Sequence, residues 1–395
     1  MPNKIVYKIS DIGDVVGGGT PSTKIPEYWN GDISWISPSD LTNYNDVYIS
    51  YGSKNITQLG FNKSGAKFLP RNSVLLSSRA PIGYIALADK ELCTNQGFKS
   101  IVCNSKINYM YLYYYIKYNV DHFKAFASGA TFPELSTKRL KNIKIEIFEN
   151  VEYQEKIGKM IFRYDELIKN NRKQIEILEN IAKKMYSKMF AYHVIKDKSE
   201  EVKIKDILSF NRGISYSSDE IDCQDGCNLI NLKNINSYGG FRRDGTKKYN
   251  GKYKETQIVK TWDLVMGVTD MTQDRRTVGS VALIPTLNGV SVISADLVRI
   301  DSKINNTYLF SMFKYGELSK YISQFANGAN VLHLKPQSIA NVKIQLPFEE
   351  LIEQYVAIVE PIIKEIDALY LGIDNLITQR DLIAPRLLSG KLVIE

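Results

Sequence analysis

The side chains in this sequence best suited to chemistry are guanidinium, amide and hydroxyl groups on loops. The run DMTQDRR, Asp270 to Arg276, sets Arg275 and Arg276 beside Thr272 and Gln273, between the apolar runs DLVMGV and SVALI. Arg can contact guanine through two hydrogen bonds, Gln and Asn can do the same with adenine, and Lys offers phosphate a point charge. GGFRRDGTKKYNGKYK, Gly239 to Lys254, adds Arg242 and Arg243 in a basic stretch with interleaved aromatics. Arg212 and Lys233 precede it. Earlier in the chain Ser78 and Arg79 lie in SSRAP, at the place that corresponds to DMTQDRR. Thr20, Ser22, Thr23 and Lys24 follow a run of glycines, and Gln96 and Lys99 flank a further Gly-Phe step. Ser128 and Thr131 in FASGATF are answered by Asn327 and Asn330 in FANGANV. Solvated surface explains any single lysine here, but it explains less well two arginines on a loop that recurs in both halves.

Catalytic constellations are not evident. GGGT, Gly17 to Thr20, lacks a following Lys-Ser/Thr and runs into Pro21, so it is neither a phosphate loop nor a dinucleotide fingerprint. No Pro-Pro pair exists for an amino-methyltransferase motif. Asp197, Glu201 and Lys203 fit a metal-nuclease pattern only loosely, in a charged linker. His122, His193 and His333 are scattered, and of Cys93, Cys103, Cys223 and Cys227 only the last two are near each other, with nothing beside them to complete a zinc site. The expectation is four free thiols, no metal, and a scaffold or binding protein.

Bulk properties agree with a folded protein, and the basic excess is compatible with a polyanionic partner without requiring one. The chain has 395 residues, 44% hydrophobic and 24% charged, with a net charge of +8. That length exceeds one core and favours two domains. Tyrosine is abundant, 25 against 15 Phe, which suits interfaces and grooves but also follows from an AT-biased genome. The N-terminus lacks a signal-peptide core and no run is apolar enough to cross a bilayer, so the protein is expected in the cytoplasm.

The elements that must hold these loops occur twice. FASGATFPELSTKRLKNIKI, Phe126 to Ile145, shares Phe, Ala, Gly, Leu, Asn, Lys and Ile with FANGANVLHLKPQSIANVKI, Phe325 to Ile344. KISDI is answered by KIKDI, WISPSDL by LINLKNI, and IGYIAL by VGSVAL, in the same order. Ordered matches of this kind indicate a duplication. Each copy opens with short apolar runs that read as strands, including VLLSS, YIALA, KSIVC and IKIEIF in the first and DLVMGV, SVALI, VSVIS and VKIQL in the second. MYLYYYIKYNV and YLFSMFKY read as helices between the late strands.

A long heptad-patterned helix closes each copy. Ile161, Ile168 and Ile175 fall in one series and Leu178 in the interleaved one; Val359, Ile366 and Ile373 with Ile377 repeat this in the second copy. Neither helix can bury its seam alone, so each is the other's expected partner. Asn171 and Arg380 fall on the seams, where a polar group fixes register, and Pro361 and Pro385 are expected to kink or end the second helix. The fold class expected is therefore α+β: two globules separated by two long helices in an antiparallel coiled coil, with a pseudo-two-fold internal repeat. The boundaries expected are a first domain over 1–150, a central helix over 151–190, a linker over 191–201, a second domain over 202–347 and a C-terminal helix and tail over 348–395.

KISDIGDVVGGGTPSTKIPEYWNGDISWISPSDL resembles the opening of a target-recognition domain of the specificity subunits of type I restriction-modification systems. FASGATFPELSTKRLKNIKI resembles the signature before that family's spacer helix, and RLLSGKL its usual ending. The first copy lacks the Pro that often precedes the helix, and RGISYSS replaces the Gly-Gly-Thr-Pro-Ser element in the second. The resemblance implies a non-catalytic subunit that binds double-stranded DNA, each globule reading half of an asymmetric bipartite target whose gap the helices set. It implies partners too: modification (methyltransferase) subunits using S-adenosylmethionine, and restriction subunits using ATP and Mg. The competing reading is a coiled-coil structural or interaction protein with two binding globules; an enzyme is third.

Overall fold

The computed structural model describes residues 3–79, 81–129, 133–191, 195–221 and 225–394, so Thr131, His193 and Cys223 lie outside the described residues. The chain forms two compact units: residues 1–171 with 372–395, and residues 172–371.

In the first unit, strand Lys4–Lys8 pairs antiparallel with Lys144–Phe148, tying the chain's start to the segment that enters the first long helix. A five-stranded sheet runs in the order Gly13–Gly17, Lys99–Cys103, Val74–Ser78, Ile82–Ala88, Tyr48–Ile49. Val15, Ile49, Val74, Leu75, Leu76, Leu87 and Ile101, β-branched or Leu, are buried in it, as expected of strands packed on a core. Helix Tyr109–Tyr118 begins where the Asn108 carboxamide accepts the N–H groups of Met110 and Tyr111, a side-chain cap for otherwise orphan donors.

The second unit repeats the plan. Strand Ser199–Lys203 pairs antiparallel with Lys343–Pro347. A four-stranded sheet runs Ser209–Arg212, Leu297–Asp301, Leu264–Gly267, Val281–Leu283, the order of the first four strands of the other unit's sheet. Asn305 caps helix Asn306–Lys314 as Asn108 caps its counterpart. Even the loose match WISPSDL/LINLKNI is structural: the Ser37 N–H donates to Asp40 (2.7 Å) and the Asn231 N–H to Asn234 (2.9 Å) in equivalent single turns. The fold is α+β with a duplicated globule.

Two helices, Val151–Met189 and Glu349–Ser389, are each long enough to contribute to both units. Within the first unit they run antiparallel: Ile157 and Ile161 share a core with Ala384, Leu387 and Leu388, and Asp165 meets Arg380. Within the second they are antiparallel again, with Tyr186 and Phe190 packed on Tyr355 at ring separations of 5.8 and 5.0 Å. Ile161, Ile168, Ile175, Val359 and Ile373 are buried, while Leu178, Ile366 and Ile377 are half-buried. Pro361 and Pro385 do not end the second helix, which is continuous through both. Both prolines, and Ala357 and Asp381 whose carbonyls they leave free, face solvent, where water can replace the lost bond.

Periodicity did not reveal the buried acids. Asp165 and Asp367 are each under a tenth exposed. Asp165 accepts the Tyr114 hydroxyl and the Arg380 guanidinium. Asp367 accepts Arg243 (2.6 Å) and the Thr286 N–H (3.1 Å). Each globule is thus hydrogen-bonded to helix at an aspartate. The tyrosines are core material more than groove lining: Tyr111, Tyr114, Tyr249, Tyr308 and Tyr355 are among the largest fully buried side chains.

Candidate nucleic-acid interface

One backbone hydrogen-bond frame is built in both units. In the first, Gly18 N–H donates to Phe98 O, Gly19 to Thr94, Asn95 to Ile36, Ser78 to Gly97 and Leu135 to Ser78, while Ser128 and Glu134 exchange a pair. In the second, Gly213 donates to Leu297, Ile214 to Ile293, Ser294 to Ile230, Val268 to Asp296 and Leu334 to Val268, while Asn327 and His333 exchange the pair. Every donor has its counterpart. The glycines are required by contact: a Cβ on Gly18 would lie 2.0 Å from Asn95 O, and one on Gly213 would lie 2.2 Å from Ile293 O. RGISYSS therefore keeps one essential residue of the element it replaces, Gly213 in the place of Gly18.

The frame carries different side chains in each unit. In the first, Thr20 hydrogen-bonds Gln96. Lys99 reaches Gln96 O (3.2 Å) and Glu134 (3.5 Å) and is mostly buried, so its charge is already balanced within the fold. Ser78 is fully buried, its hydroxyl donating to Gly97 O (3.0 Å), which makes it part of the frame and not a surface contact. Arg79 is half-buried at the strand's end, and Ser22, Thr23, Lys24, Gln96 and Ser128 are exposed.

The second unit has an open groove of about 690 Å³ at this place. Lys205, Arg212, Asp296, His333, Lys335 and Gln337 contribute polar groups to it, over a floor that includes Phe210, Val268 and Leu334. Among the described residues Lys205, Arg212, Lys335 and Asp296 have no ion-pair partner. Three unpaired cations in one groove suit phosphate oxygens.

The DMTQDRR loop leaves this groove's edge and is anchored by Asp270. That carboxylate, 2% exposed, accepts the N–H of Thr272 (2.9 Å), Thr277 (2.7 Å) and Val278 (3.3 Å) and the Thr272 hydroxyl (2.9 Å). Burial alone would raise its pKa; the N–H donors together outweigh that and hold it below the ordinary carboxylate value. Gln273 donates to Ala329 O (2.9 Å), linking the loop to the Asn327 turn. Arg275 adopts a left-handed backbone (φ 55°) and its guanidinium donates to Ser323 O (2.9 Å). Arg276 pairs with Asp274 (2.7 Å) and lines a second open cleft with Lys233, Arg242 and Thr272. Asn327 and Asn330 are exposed, and the Asn327 amide donates to Phe325 O (3.1 Å).

Comparison with known proteins decides the family. The chain is 32% identical over 420 residues to the MjaIX type I restriction enzyme specificity subunit of Methanocaldococcus jannaschii, covering 99% of this chain and 94% of that protein. It belongs to the type I specificity-subunit family. The family model for the type I restriction modification DNA specificity domain matches residues 2–180. The MjaVIII specificity subunit of the same organism is 24% identical, covering 87% of this chain and 82% of that protein. The crystal structure of the type I restriction-modification S subunit from M. genitalium has the same fold, with a TM-score of 0.65 at 16% identity over 98% of this chain and 96% of that one.

Within this specificity subunit the sequence-selected residues separate into groups. Arg212 lies in the groove, and Lys233, Arg242, Thr272 and Arg276 share the neighbouring cleft. Arg243 does not join them: only 15% of its side chain is exposed and its guanidinium is held by Asp367 on the long helix. Lys205, Asp296, His333 and Lys335 were not singled out from sequence. The repeat could have found two of them, because His333 and Lys335 stand opposite Glu134 and Ser136 in the duplicated stretch. Among the described residues no cluster of His, Cys, Asp and Glu could hold a metal ion, Glu201 bonding Lys343 (2.6 Å) across a strand pair, and no helix is apolar enough to cross a membrane.

Proposed function

We propose that this chain is the non-catalytic DNA-reading subunit of a type I restriction-modification complex in the cytoplasm. Each globule reads one half of an asymmetric bipartite target, and the paired helices set the gap and receive the modification subunits. S-adenosylmethionine chemistry would belong to those subunits, and ATP- and Mg-dependent cleavage to the restriction subunits. The observation that carries this reading is the single hydrogen-bonded frame built twice with different side chains on it: similar docking at two places, different bases read at each. Arg212, Lys205 and Lys335 would hold phosphates beside the second half-site, while Gln96, Ser128, Arg276, Asn327 and Asn330 are the exposed candidates for base edges. Two half-sites on one face of B-DNA recur about every 34 Å, a separation that stiff helices can maintain. The test is binding of the complex to duplex DNA as a function of salt. Affinity falling linearly on a log–log plot, with a slope reduced by about one in Arg212→Ala or Lys335→Ala, supports the reading. Salt-independent or absent binding contradicts it.

A further inference from the structure

Asp296 is out of keeping with its surroundings. It sits in the second unit's groove with Lys205, Arg212 and Lys335, yet it pairs with none of them. Its backbone is fixed from both sides: Asp296 O accepts Val268 N–H (2.9 Å), and the flanking Leu297 N–H closes a tight turn onto Ser294 O (2.9 Å). Its carboxylate is thus presented from a rigid turn. In the first unit the frame puts Gly97 at this place, so the feature belongs to one half only.

A carboxylate approaching DNA is repelled by phosphates unless it meets a hydrogen-bond donor. The donors that duplex DNA offers in its major groove are the exocyclic amino groups, and an acidic side chain accepts from cytosine N4. The three unpaired cations around Asp296 can take the backbone charge and leave the carboxylate for a base. We propose that Asp296 is a specificity-determining residue of the second half-site, accepting a hydrogen bond from the exocyclic amino group of a cytosine. The proposal rests on the DNA-reading function above and deepens it for one residue.

The test uses the full complex and a duplex bearing its mapped target, with each cytosine of either half-site replaced in turn by 2-pyrimidinone, which lacks only the amino group. One substitution, confined to the half read by residues 172–371, should weaken wild-type binding roughly ten-fold or more. Asp296→Ala should bind the unmodified target less well by a similar factor and be indifferent to that substitution, while keeping the wild-type response at all other positions. Asp296→Asn, which preserves size and the turn, should shift preference at that base pair and leave the salt slope unchanged. Wild-type binding with no cytosine dependent on Asp296, or a uniform loss across all duplexes in both variants, overturns the proposal and leaves the DNA-reading function standing. Absence of salt-sensitive binding by the wild type overturns both.

Discussion

Asp270 illustrates how a single side chain can organise a loop. Three N–H groups and a hydroxyl converge on its carboxylate, so the loop from Thr272 to Val278 is shaped before any ligand arrives. Because its folded pKa lies below the unfolded value of about 3.9, the ionised cage adds stability at neutral pH that is lost as pH falls through the folded value. Asp270→Asn should therefore destabilise the second unit by about 1–3 kcal/mol at neutral pH and by less below pH 4, read by denaturant melts across pH. Residues that look alike in sequence differ in what they are free to do. Arg242 and Arg243 are adjacent, but only Arg242 is exposed, and Arg243→Ala should lower stability by leaving Asp367 buried and unpaired while barely moving the salt slope of DNA binding. Arg275→Ala should act on stability too, because its guanidinium caps the turn at Ser323.

At the scale of elements, the helices combine heptad seams with buried charge. Ile161, Ile168 and Ile175 form one stripe, and Asp165 lies beside it, bonded to Tyr114 of the globule and Arg380 of the opposing helix. Removing the cation of such a pair strands a charge: Arg380→Ala leaves Asp165 buried with only the Tyr114 hydroxyl and should cost about 3–5 kcal/mol, whereas replacing Asp165 and Arg380 together by leucine and methionine should cost far less, in equilibrium unfolding of both variants. The late strands of each globule, helices Tyr109–Tyr118 and Asn306–Lys314 and both long helices are legible in sequence because hydrophobic period is a local property, whereas strands Lys4–Lys8 and Gly13–Gly17 show no such run. The acids are not legible: Asp165 and Asp367 satisfy no heptad rule, and only a globule folded against the helix reveals their partners. Pro361 and Pro385 do not end the helix because the carbonyls they free face water.

At the scale of the molecule, the duplication was readable from ordered short matches, and the hydrogen-bond frame explains which matched residues matter. Gly18 and Gly213 are shared because backbone passes within contact distance, while Gly97 and Asp296 differ because only the carbonyl at that place is needed by the frame. The groove was only partly legible, since it gathers Lys205, Arg212, Asp296 and Lys335 from segments far apart in the chain. If the helices set the gap between half-sites, inserting one heptad into each, roughly 10 Å of helix, should lengthen the unread spacer by about three base pairs. The most direct measurement of the central claim is genome-wide mapping of methylated bases in cells with and without this chain. The account predicts a chain-dependent, asymmetric motif of two specified blocks separated by a fixed unspecified gap; methylation that does not depend on the chain, or a single contiguous motif, would contradict it.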